Sequence, residues 1–94
     1  MARLTAAAPS PAPAELRKLS QRDWSWTLYG AGERRFLSVL CGTVATYELT
    51  VELAPPERER IGEIGFLDAF ANEVAYRPTQ WHPRHLRDFR APPE

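Results

Sequence analysis

The chain has 94 residues, 44% of them hydrophobic and 26% charged, which is enough for one small core and no more. Twelve basic residues balance twelve acidic ones, so the molecule lacks the overall positive charge of a duplex nucleic-acid binder. No apolar run reaches the roughly 18–20 residues of a membrane span, and the lone Cys41 excludes an internal disulfide framework.

Residues 1–14 are mostly Ala, Pro and Ser, with Pro9, Pro11 and Pro13 favouring extended backbone, so a flexible leader is expected there. No apolar segment of signal-peptide type opens the chain, and the single thiol fits a reducing, cytoplasmic setting. The Arg, Ala and Pro bias suggests a bacterial source. Residues 14–21 place Leu16 and Leu19 three apart among Glu15, Arg17 and Lys18, which predicts a short helical piece.

From Trp24 the period changes to two. A three-stranded antiparallel meander is predicted over residues 24–29, 35–41 and 44–53, with the middle strand covered on both faces. The alternation of Tyr47, Leu49, Val51 and Leu53 with Glu48, Thr50 and Glu52 is its cleanest signal. A kinked helix over 56–76 follows, opened by Pro55-Pro56-Glu57 and weakened at Gly62 and Gly65; its apolar stripe, Ile61, Ile64, Leu67, Ala71, Val74 and Ala75, covers the sheet face that runs from Trp24, Trp26 and Leu28 to Tyr47, Leu49, Val51 and Leu53. One more helical piece is expected at 83–90. The predicted fold is α+β, with a single domain over 15–82 and a C-terminal Arg-bearing arm over 83–94.

The residues that carry chemistry do not assemble into a catalytic set. Phosphate-loop, dinucleotide and H-E-x-x-H patterns are absent, and Cys41 falls within a strand expected to be buried. His82, His85 and Asp88 recur every three residues, but Pro83 disturbs the helix that metal ligation would need, so no metal or cofactor is expected. No enzymatic function is expected either.

Three surfaces are candidates for a partner. The second sheet face presents Tyr29, Phe36, Leu40 and Val44, unless Leu16 and Leu19 fold back over it. The helix carries Glu59, Glu63 and Glu73 within a stretch, 48–76, that has seven acidic residues against two basic ones. The arm carries Arg84, Arg87 and Arg90 around Leu86 and Phe89, and its blandest use is to dock on the chain's own acidic helix. These features point to a non-enzymatic protein-binding module, such as an antitoxin, an immunity protein or an accessory subunit, whose partner is another protein or a second copy. The alternative is a single-stranded nucleic-acid binder that stacks bases on Tyr29 and Phe36 with help from the arginines. Outward-facing Glu48 and Glu52 would repel phosphates, which places protein binding first.

Overall fold

The computed structural model describes residues 9–42 and 45–92. Four strands, β1 (Arg17–Arg22), β2 (Trp26–Ala31), β3 (Arg34–Cys41) and β4 (Tyr47–Glu52), form one antiparallel sheet in sequence order. Three short helices follow: α1 (Pro55–Arg58), α2 (Phe66–Tyr76) and α3 (Pro78–Trp81). The class is α+β, as the periodicities predict, but the meander has a fourth strand.

That extra strand replaces the expected helix at 14–21. Only Pro13–Glu15 makes a 3-10 turn, closed when Glu15 accepts from the Ala12 N–H at 2.9 Å. The chain then runs extended, because pairing with β2 satisfies more backbone groups than an isolated two-turn helix can. A bulge between Lys18 and Ser20 seats Leu19 over Gly30, where a Cβ would lie 2.8 Å from the leucine Cδ1.

The β2–β3 hairpin is the tightest connection. Ala31 pairs with Arg34, leaving a two-residue loop in which Gly32 takes φ +59, as turns of type II′ require at their first position. Across β2, β3 and β4 the register puts Leu28, Leu37, Val39, Leu49, Val51 and Leu53 on one face. They bury against Ala71 and Val74 of α2, and Trp26, Ile61, Leu67, Phe70 and Trp81 close the margins of this core. The expected face is therefore correct in its centre and wrong at its ends: Trp24 is 91% exposed and Tyr47 43% exposed. The helical stripe also loses a member, since Ile64 stands fully exposed in the irregular turn between α1 and α2. The break is longer than expected: α1 ends at Arg58, and the irregular stretch 59–65 takes in both Gly62 and Gly65 before α2, which stops at Tyr76 before Pro78.

The C-terminal segment is not helical over 83–90. A 3-10 turn, His82–Arg84, gives way to extended chain, and His85 bridges to Val51 of β4. Leu86 N–H donates to the Thr50 carbonyl at 2.9 Å, while Thr50 N–H donates to His85 Nδ1 at 3.0 Å. The outer edge of β4 is thus covered by the chain itself. A second, smaller core lies beyond, where Leu86 and Phe89 pack on Leu16, Tyr29 and Phe36. The Phe89 ring sits 5.4 Å from Tyr29 and 5.6 Å from Phe36, both tilted. Of the expected leader, residues 1–8 lie outside the described residues. Residues 9–14 lie against the body of the protein: Ser10 Oγ donates to Asp88 at 2.6 Å and Arg34 donates to the Pro9 carbonyl at 3.0 Å.

Candidate functional site

Most of the residues singled out for partner binding have partners inside the chain. Tyr29 and Phe36 are 7% and 0% exposed, so the aromatic end of the second sheet face is core and not surface. Leu16 covers it, as the fold-back alternative holds, but Leu19 does not: it sits on the bulge and remains 45% exposed. Leu40 is half-buried further up the same face, and Val44 lies outside the described residues.

The three arginines of the arm separate into different roles. Arg84 makes a bidentate pair with Glu57 at 3.0 and 2.8 Å, donates to the Glu52 carbonyl at 2.8 Å and stacks over Trp81. Its guanidinium holds the Glu57 carboxyl below the usual glutamate range, against the opposing effect of burial, and the Ala54 N–H assists. Arg87 is exposed, and Arg90 donates to the carbonyls of Arg87 and Phe89. On the acidic side, Glu63 pairs with Arg60 at 3.2 Å and Glu73 with Arg77 at 3.4 Å, both on the surface, and Glu59 is exposed. The arm does dock on the chain's own acidic stretch, through Arg84 and Glu57 alone among these.

His82, His85 and Asp88 diverge. His82 Nε2 faces the Tyr47 hydroxyl at 3.5 Å, and His85 Nδ1 accepts from the Thr50 N–H at 3.0 Å. Asp88 accepts from Ser10, whose hydroxyl holds its carboxyl below the ordinary aspartate range. Among the described residues, no three His, Cys, Asp or Glu side chains converge as a metal site would require. Cys41 is 2% exposed, and burial pushes its thiol up, away from the thiolate a nucleophile needs.

What remains open is the other half of the second sheet face. A groove of about 330 Å³ crosses it, floored by Thr27, Ser38 and Leu40, with Lys18 and Gln21 of β1 along one side and Glu48 of β4 on the other. The Ser38 and Thr50 hydroxyls bond to each other at 2.6 Å beneath, so the floor is polar yet internally satisfied. The turn Arg22-Asp23-Trp24-Ser25, closed by Ser25 N–H to the Arg22 carbonyl at 3.0 Å, forms the end wall.

Trp24 stands on that turn with φ +64, the one positive φ outside glycine among the described residues. Position three of such a turn favours glycine or asparagine, and a bulky side chain there costs about 1–2 kcal/mol. Packing does not offset this cost, because the indole is almost wholly in solvent. Alternation with Trp26 and Leu28 predicts a core position for Trp24, and the turn-forming Asp23 and Ser25 on either side are the signal against it. No protein family matches the chain, and no curated protein or solved structure is significantly similar to it.

Proposed function

We propose that this chain is a small non-enzymatic protein-binding module, and that Trp24 with the groove it closes is the working surface. The observation that carries the reading is the strained, exposed tryptophan. Backbone strain without a packing return persists where it serves something other than stability, and tryptophan is among the residues that dominate binding energy at interfaces. The groove adds a polar floor and charges of both signs, the composition of an interface rim. The raised thiol of Cys41 and the dispersal of the two histidines favour binding over catalysis. A base-stacking surface on Tyr29 and Phe36 would first have to displace Phe89 and Leu86 from them.

The test is site-specific photo-crosslinking in cells of the native host. A photoreactive residue at Asp23, beside the indole, is expected to capture a discrete protein, and Trp24→Ala in the same background to abolish the adduct. A probe at exposed Tyr76 serves as the control. Capture of nucleic acid from position 23, or an adduct indifferent to Trp24, would defeat the reading.

A further inference from the structure

Two strands close the sheet, and the chain treats them differently. The outer edge of β4 is covered: Thr50 is bonded through both its N–H and its carbonyl, and Arg84 takes the Glu52 carbonyl. The outer edge of β1 has no strand beside it among the described residues, and all six of its residues are exposed. Leu40 N–H donates to the Ser25 carbonyl at 2.8 Å, which sets the phase of β2. Its backbone groups at Trp26, Leu28 and Gly30 therefore face β1, where they meet Arg22, Ser20 and Arg17. By the same alternation the main-chain N–H and carbonyl of Gln21 point outward, available to an added strand.

The edge is cationic on both faces of the sheet. Arg17 and Arg22 lie on the side of α2, where Arg22 reaches Asp68 at 3.3 Å, and Lys18 lies on the groove side opposite Tyr29. No acidic residue occurs within β1. Two copies joined antiparallel through this edge with Arg17 of one opposite Arg22 of the other would bring like charges together, a contact that opposes self-pairing. An acidic strand meets the opposite situation. Exposed Leu19 and Trp24 flank the outward-facing Gln21 and offer apolar contacts at either side of it.

We propose that the outer edge of β1 takes up an extended acidic segment of a partner protein as an added strand, anchored at Trp24. The proposal rests on the protein-binding reading and specifies its partner: β-addition, with main-chain bonds giving affinity and the cationic side chains selecting acidic sequence. The β1 bulge and its basic residues then serve one purpose, excluding a second copy while admitting a segment of opposite charge.

The experiment selects a displayed library of random linear peptides on the full-length protein. It then measures binding and amide hydrogen exchange with the peptides recovered. The expected result is enrichment of acidic peptides that slow exchange at Gln21. Their affinity is expected to fall about tenfold or more in the Arg17→Glu, Lys18→Glu double variant, and also with added salt. Circular dichroism checks the fold of that variant, whose changes are confined to exposed side chains. Peptides that require Trp24 but leave Gln21 exchange unchanged would overturn the edge proposal and leave the protein-binding reading standing. Recovered peptides of neutral or basic composition would also overturn it, as would a concentration-dependent dimer that protects Gln21. Failure to recover any binder, together with no adduct from position 23, would remove both.

Discussion

Replacing Trp24 by glycine should make the protein more stable. The residue holds φ +64 with 91% of its surface in water, so the substitution removes backbone strain and almost no buried area. Relief of the left-handed conformation returns about 1–2 kcal/mol. Glycine gives back about 0.4–1 kcal/mol through the greater freedom of its unfolded chain. The net gain is about 0.5–1 kcal/mol, which for a domain of this size raises Tm by about 2–6 °C. Trp24→Asn separates the two contributions, since asparagine tolerates the same φ without glycine's extra unfolded entropy. Thermal melts and urea titrations of the three proteins supply the numbers, and crosslinking from Asp23 reports binding on the same samples. A gain in stability with loss of binding is the outcome expected of a residue kept for recognition. A fall in Tm of several degrees in both variants would show instead that the indole packs on the fold, and the case for Trp24 as an anchor would be lost.

Leu49→Ala, at a position 1% exposed, should cost about 2–5 kcal/mol in chemical denaturation, whereas Tyr47→Ala two residues earlier should cost about 1 kcal/mol or less. Phe89→Ala should uncover Tyr29 and Phe36 and cost about 1–3 kcal/mol, with a rise in the fluorescence of a hydrophobic dye; an unchanged signal would mean that Leu86 alone seals that core. The Arg84 guanidinium lowers the folded-state value of Glu57, so this pair stabilises fully above the unfolded glutamate pKa of about 4.3 and loses its effect as pH falls through the lower folded value. Glu57→Gln should therefore cost about 1 kcal/mol at neutral pH, the partial exposure of Arg84 being allowed for, and flatten the acid limb of the stability curve.

Local pattern was informative wherever apolar and polar residues alternate along an element. Alternation through Tyr47–Glu52 fixes the β4 register, because a slip of one residue would bury Glu48 and expose Leu49. The two glycines and Pro78 mark the helix break and the end of α2 for equally local reasons. β1 escaped because neither of its faces is buried. Its six residues are all exposed, so no period of two could arise, and the three-residue spacing of Leu16 and Leu19 imitates a helix. Leu16 instead drops into the second core while Leu19 rides on the bulge, a distinction set by pairing with a strand several residues away.

The partner surface was harder to read for a related reason. Apolar and charged residues announce that they need a complement, and they are silent on whether it comes from the same chain. Tyr29 and Phe36 on the sheet, and Leu86 and Phe89 on the C-terminal segment, each resemble half of an interface in the sequence; in the structure they complete one another. Arg84 and Glu57 do the same for the charged arm and the acidic stretch. Once these internal matches are made, the open features are those that composition alone ranks low: the outer edge of β1, which has no strand beside it among the described residues, and a tryptophan that period-two alternation assigns to the core. A contact the chain can make with itself is effectively intramolecular, and a partner competes with it only by displacing it. The outward main chain of β1 at Gln21 and the indole of Trp24 present no such competition among the described residues, and that is the physical reason to seek the partner there.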